Sequence, residues 1–407
     1  MKKILYISYD GMTDPLGQSQ IIPYLQGLSR FGYKFTILSF EKPARFAKLE
    51  KQIHGLLDPY GIEWVHYPFS TRPPVLSKMY DMIRLKKAAI RLQKEKQFDM
   101  THCRGYIGAS IGLALKKKSG VKFFFDMRGF WADEKKDAGA WNVKNPLFRQ
   151  VYKHYKKQEK QYQLQADFII SLTDAGKKEM EKWPGYDPSV PVDVIPCCAD
   201  MSHFTLTSPE KKKNSRELLG LPQDKLVISY LGSVGSWYML DEMLQLFRMI
   251  RDRNPGAVFL FITPSEPDYI FLRAEAAGLN RNELVIREAG RQEVPVFVAA
   301  SDVNISFIKP VYSKLSSSPT KLGEVLAMGI PVISNSGVGD VEEIVKKTGG
   351  GIAIRDFSTA SLQAAAESIP ALLQLSPAAI REAATGIYDL GRGVEKYHQA
   401  YLKVLGE

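Results

Sequence analysis

The sequence predicts an α/β protein built from two doubly wound Rossmann-like domains in tandem, and three observations carry that prediction. Short β-branched and aromatic runs alternate with stretches of helical spacing. The alternation pauses after Pro196 and then resumes, which makes two series rather than one. A chain of 407 residues also exceeds what one ordinary core organises.

The first series opens with a strand at Lys3–Tyr9, a helix at Gln20–Arg30 with the apolar stripe Ile21, Tyr24, Leu25 and Leu28, and a strand at Lys34–Phe40. Strand, helix and strand at this spacing predict a parallel pair with a right-handed crossover. Further strands are expected at Trp64–Tyr67, Phe98–His102, Val121–Phe125 and Phe168–Leu172, with helices such as Leu76–Lys94 and Phe148–Leu164 between them. In the second series strands are expected at Val227–Leu231, Val258–Ile262, Leu284–Arg287, Val303–Phe307 and Pro331–Ser334, each followed by a helix. The polar segment Phe204–Leu221, with its SPEKKKN run, reads as the connector. The expected domains are therefore 1–200 and 205–387. Residues 388–407 form a last helix whose Val394, Tyr397, Tyr401 and Leu405 suit packing on either domain, including back on the first. Domains of this kind hold ligands at the carboxyl ends of their strands, so the ligand is expected between the two.

Composition narrows the class. Hydrophobic residues are 45% and charged residues 24%, as in soluble globular proteins, and no apolar run approaches the roughly 18 to 20 residues of a membrane span. MKKILYISYDG has too short an apolar stretch for a signal peptide and reads as a first strand, so a cytoplasmic protein is expected. Cys103 and the neighbours Cys197 and Cys198 make no disulfide framework, and no Cys/His spacing suggests a metal. Residues 1–200 carry 33 Lys and Arg against 21 Asp and Glu, while the remainder carries 22 against 23. The basic excess lies wholly in the first half, which predicts attraction to phosphates or to an anionic membrane surface. A peripheral membrane contact through Leu76–Lys94 and the aromatic, basic stretch Trp141–Tyr162 is one reading, and a solvated basic face is the plainer one. No recognition motif accompanies the charge, so nucleic acid is not an expected partner.

The stretch SSSPTKLGEVLAMGIPVISNSG, Ser316 to Gly337, is the most informative. Ser318 as N-cap and Pro319 as first helical residue predict a helix that ends at Gly329. Leu322, Val325 and Leu326 make its apolar stripe, and Lys321 and Glu324 share another face. A surface ion pair is the ordinary account of such a pair. A lysine at the positive end of the helix dipole, preceding its glutamate, is poorly placed for one. An anion at the helix N-terminus resolves this: the loop Ser316–Thr320 and Lys321 suit a diphosphate, and Glu324 suits the hydroxyl pair of a ribose.

The run SPTKLGEVLAMGIPVISNSGVGDVEEI resembles the donor-binding segment of glycosyltransferase family 4, nucleotide-sugar enzymes of the GT-B fold. ADFIISLTDAGKKEM and PVDVIPCCADMSHF resemble the family's last N-domain strand and its approach to the hinge. The resemblance implies that Glu324 binds the ribose and that the preceding loop, with Ser316, Ser318 and Thr320, faces the diphosphate and sugar. It also implies a glycine loop after the first strand, for which Gly17 in YDGMTDPLGQSQ is the match, and acceptor-side polar groups in FFFDMRGFWADEKKD. There Arg128 is expected to bind an anion, and Asp133 or Glu134 to orient the acceptor hydroxyl. His102 and Arg104 in THCRG are lesser candidates. Two departures stand out. Many members carry two glutamates separated by seven residues, and the first falls here on Ser316. Many also place Arg and Lys after the first strand of the second domain, where this chain has LGSVGSWYMLDEM with Gly232, Ser233 and Gly235. Lys321, or Arg128 from the other domain, is then left to supply the missing charge.

The implied activity is transfer of a sugar from a nucleotide sugar to a hydroxyl of a glycan or lipid-linked acceptor, with retention, in cell-surface polysaccharide synthesis at the inner face of the membrane. No D-x-D occurs, so neither a metal nor another cofactor is expected. The alternatives are a nucleotide-sugar epimerase or sugar phosphorylase of similar fold, and a catalytically silent scaffold that binds nucleotide or lipid.

Overall fold

A computed structural model of the protein describes residues 1–71 and 73–406, apart from the side chains of residues 74–76. The expected helix Leu76–Lys94 therefore begins on a residue whose side chain lies outside the described ones. It is observed as Pro74–Lys96. The chain divides into two compact units, 1–196 with 390–407, and 197–389.

Unit 1 is a seven-stranded parallel sheet with the strands β1 (Lys3–Ser8), β2 (Lys34–Glu41), β3 (Glu63–Pro68), β4 (Met100–Arg104), β5 (Lys122–Asp126), β6 (Phe168–Ser171) and β7 (Val192–Val194). Their spatial order is 3-2-1-4-5-6-7. The middle strands are buried because helices cover both faces: Phe123, Phe124 and Phe125 point alternately and are all fully buried. β1 leads to β2 on one side and β4 leads to β5 on the other, so the order reverses between β1 and β4. Ser8 pairs with Arg104 across that boundary, and Arg104 with Asp126 across the next.

The helix Leu390–Leu405 belongs to unit 1. Val394 fills the space that the absent side chain of Gly27 leaves, and Tyr397 meets Tyr24 edge-on at 5.5 Å. The Tyr401 hydroxyl shares a 2.5 Å hydrogen bond with Nδ1 of His102. His102, a lesser site candidate from its sequence context, is thus a buried tie between sheet and helix, and burial holds its pKa below the usual histidine value. The long loop expected at Tyr9–Gln20 is cut short, because Pro15 starts a helix, Pro15–Gln20.

Unit 2 is a six-stranded parallel sheet with β8 (Val227–Leu231), β9 (Val258–Ile262), β10 (Leu284–Arg287), β11 (Val303–Ser306), β12 (Val332–Asn335) and β13 (Gly351–Ile354) in the order 10-9-8-11-12-13. Its own reversal lies between β8 and β11. Val227, Leu260, Val325 and Tyr388 form part of the core on one face, and Tyr230, Phe247, Phe259 and Ile305 on the other.

One expectation about this unit fails. The supposed connector contains a helix, Pro209–Leu219, whose N-cap Ser208 accepts a hydrogen bond from the Lys211 amide at 3.1 Å. Its inner face carries an arginine and a serine, Arg216 and Ser215, beside the single leucine Leu219. Arg216 is buried, donates to the carbonyls of Ala300 and Gln223, and makes a 2.7 Å ion pair with Asp302. A helix anchored this way shows no apolar stripe for sequence reading to find.

Candidate active site

The second unit gathers the predicted donor-side residues at its switch point. The helix Thr320–Ala327 carries Lys321 and Glu324. It begins later than expected, with Pro319 at the N-cap position and no side chain capping it, because the Ser318 hydroxyl instead accepts the Cys197 amide at 3.1 Å. Its first-turn N–H groups thus lack the side-chain acceptor that commonly satisfies such donors, which is the usual condition of an anion-binding helix terminus. Ser316 is buried and donates to the Ser313 carbonyl within its own turn, an arrangement that spends its hydroxyl locally.

Lys321 does not pair with Glu324. Its ammonium donates to the Tyr230 hydroxyl at 3.1 Å and lies over the rings of Tyr230 and Tyr238, with centroids at 4.4 and 3.7 Å. The Tyr230 hydroxyl in turn donates to the Ser233 carbonyl at 2.5 Å. Gly232, at φ +115°, sits so close that a Cβ added there would stand 2.9 Å from the lysine nitrogen. Glycine is required at this point both for its backbone angle and for the approach of the lysine. The loop that follows is laced to the segment after β11: Met239 donates to the Phe307 carbonyl and Lys309 to that of Trp237. Gly235, at φ +98°, turns it. Polar groups from β11 and β12, namely Asn304, Ser306, Ser334 and Asn335, line the same hollow as Pro319 and Lys321.

Two pKa shifts mark this place. Burial pushes Lys321 down to about 7, partly offset by Glu324. Burial pushes Glu324 up to about 7 against the attraction of Arg291 and Lys321. A lysine and a carboxylate both poised near neutrality, three residues apart on one helix whose lysine lines the hollow, are characteristic of a ligand site. Sequence reading missed Tyr230, which looks like any core aromatic of a strand, and Arg291, an unremarkable loop residue held in place where His203 hydrogen-bonds its carbonyl at 3.0 Å.

In unit 1 the structure separates the predicted residues. Gly17 is buried in the helix Pro15–Gln20, and a Cβ there would stand 2.2 Å from the Gly11 carbonyl. It is glycine so that this helix can press on the loop. Glu41, at the end of β2, holds the same loop by accepting the amides of Met12 and Thr13 and the Thr13 hydroxyl. Asp133 is already engaged within its own unit: its two oxygens accept the Tyr152 hydroxyl at 2.6 Å and the Lys156 ammonium at 2.9 Å. Glu134 follows it in the first turn of the helix Trp131–Asp137 and is partly buried. Arg128 stands at the carboxyl end of β5 with φ +59°, 3.7 Å from Asp126. Among the described residues no group of His, Cys, Asp and Glu is arranged to hold a metal ion, and no helix is long and apolar enough to cross a membrane.

Known proteins resemble the chain in sequence and in fold. A D-inositol 3-phosphate glycosyltransferase from Rhodococcus erythropolis (strain PR4 / NBRC 100887) is 22% identical over 280 residues, 67% of this chain and 60% of that protein's length. The sucrose-phosphate synthase structure from Thermosynechococcus elongatus superposes with a TM-score of 0.79 at 14% identity, covering both chains fully. The Anabaena HepE structure in complex with UDP and glucose superposes with a TM-score of 0.71 at 14% identity, covering 98% of this chain and 99% of that one. Residues 21–203 match Glycosyltransferase Family 4, and residues 211–385 match Glycosyl transferases group 1. The chain belongs to the glycosyltransferases of GT-B fold.

Proposed function

We propose that the chain transfers a sugar from a nucleotide sugar to a hydroxyl of a glycan or lipid-linked acceptor, with retention of anomeric configuration, in cell-surface polysaccharide synthesis. The observation that carries the donor half is the meeting of Lys321, Gly232 and an uncapped helix terminus at the β8–β11 switch point. The leaving group of such a transfer is a nucleoside diphosphate, whose growing negative charge is stabilised by fixed donors already in place. Lys321 and the helix terminus receive the diphosphate, and Glu324 receives the ribose hydroxyls. The HepE complex supports a uridine nucleotide as the first to try. An exposed group of Met79, Tyr80 and Ile83 on the basic helix Pro74–Lys96 supports an acceptor presented at an anionic membrane surface.

A thermal-shift screen with UDP, GDP, ADP and CMP, followed by product analysis with the matching nucleotide sugars, tests this reading. One nucleoside diphosphate is expected to raise the melting temperature, and the product to keep the donor's anomeric configuration. Glu324→Gln is expected to weaken binding of that nucleotide roughly tenfold, since a charge-assisted hydrogen bond to the ribose is lost. Unchanged affinity in this variant would remove Glu324 from the site, and an inverted product would contradict retention.

A further inference from the structure

We propose that Arg104 and Arg128, at the switch point of the first sheet, bind a phosphate group carried by the acceptor. This rests on the reading that unit 1 takes the acceptor.

Arg104 ends β4 and lies in register between Ser8 of β1 and Asp126 of β5. That is where the strand order reverses and where a doubly wound sheet opens its crevice. Its side chain is 5% exposed, with Nη1 3.7 Å from Asp126 Oδ2 and Nε 3.9 Å from Asp10 Oδ2, and neither nitrogen makes a hydrogen bond. The other oxygen of Asp126, 3.7 Å from Nη1 of Arg128, accepts none either.

Two guanidinium groups therefore converge on one buried carboxylate. His102, 3.4 Å from Asp126, carries no negative charge, and the second carboxylate, Asp10, is 56% exposed at the rim. These two N–H positions of Arg104 are buried, charged and unused. Leaving a buried charged donor without an acceptor is destabilising, a cost that a bound oxyanion removes. A phosphate presents several oxygens in the geometry that a guanidinium fork matches. The positive φ of Arg128, followed by Gly129 at φ +129°, keeps that side chain at the strand end.

Phosphate has two possible sources in this reaction, the donor diphosphate and the acceptor. The donor diphosphate has its own place at Gly232 and Lys321 in unit 2, so the unit 1 site is assigned to the acceptor.

The test is calorimetric titration of inorganic pyrophosphate into the full chain saturated with UDP. The wild type is expected to bind it. Asp10→Asn, which removes a competing exposed carboxylate, is expected to tighten binding severalfold, and Arg104→Met to weaken it more than tenfold. The Asp10 variant decides the matter even where Arg104→Met does not fold, because Asp10 lies at the surface. No pyrophosphate binding beside UDP, or binding unaffected by Asp10→Asn, overturns the proposal. Loss of UDP affinity in Arg104→Met equal to its loss of pyrophosphate affinity assigns the arginines to the donor and overturns it as well. Failure of UDP itself to bind would instead sink the donor site of unit 2; pyrophosphate titrated alone into the wild type and Asp10→Asn then supports the unit 1 site if the variant binds more tightly and overturns it if the two are equal.

Discussion

Lys321→Met is expected to lower kcat/KM for sugar transfer by about 10²- to 10³-fold with little change in melting temperature, the size of effect seen when one preorganised donor to a developing oxyanion is removed. Methionine keeps the length and the apolar contact with the Tyr230 and Tyr238 rings that the lysine stem has now. What it removes is the charge and the hydrogen bond that begins the relay from Lys321 through Tyr230 to the Ser233 carbonyl. The loss should appear chiefly in kcat, because charge on the diphosphate grows as the sugar leaves. Steady-state kinetics on the purified variant check this. Activity within threefold of the wild type would mean that the diphosphate is held elsewhere.

Gly351→Ala is expected to destabilise unit 2 by about 3–5 kcal/mol, through a backbone conformation that only glycine adopts readily together with a steric clash. Gly351 opens β13 at φ +146°, and an added Cβ would stand 1.9 Å from the Val332 carbonyl on β12, backbone that has nowhere to go. Gly349, two residues earlier, gives the contrast: φ +57° with nothing within 4 Å of its added Cβ, so Gly349→Ala should cost only about 1–2 kcal/mol. Urea unfolding of the two variants compares them directly. Equal costs would show that β12 and β13 pair more loosely than the clash at Val332 requires.

The strands of unit 2 were legible because most are buried on both faces. Val227–Leu231, Val258–Ile262 and Leu284–Arg287 fall where expected to the residue. Val192–Val194 of unit 1 and Gly351–Ile354 were not, the first being only three residues long and half-exposed and the second opening on glycine. The helix Pro209–Leu219 was hidden because an arginine holds its inner face. At the site, local patterning placed Lys321 and Glu324 on one helix and Gly232 in a turn. It did not show that the Ser318 hydroxyl is claimed by Cys197, 121 positions away, or that Asp133 is claimed by Tyr152 and Lys156 on the next helix. Those are contacts that only the folded chain brings about. The same holds for Arg291 beside Glu324, which no spacing rule connects.

In the proposed donor site Lys321 meets the diphosphate as a cation, and proton linkage reads that charge. Free Lys321, lowered to about 7, is mostly neutral at pH 8, whereas Glu324, raised to about 7, is already mostly ionised there. A bound diphosphate favours the charged lysine and raises its pKa, so binding must take up a proton, and affinity must fall as pH rises above about 7. Calorimetry of UDP binding at pH 8, in buffers of different ionisation enthalpy, counts that proton. Uptake of close to one proton is expected for the wild type and almost none for Lys321→Met. Proton release, or the same count in both, would exclude a cationic Lys321 at the diphosphate.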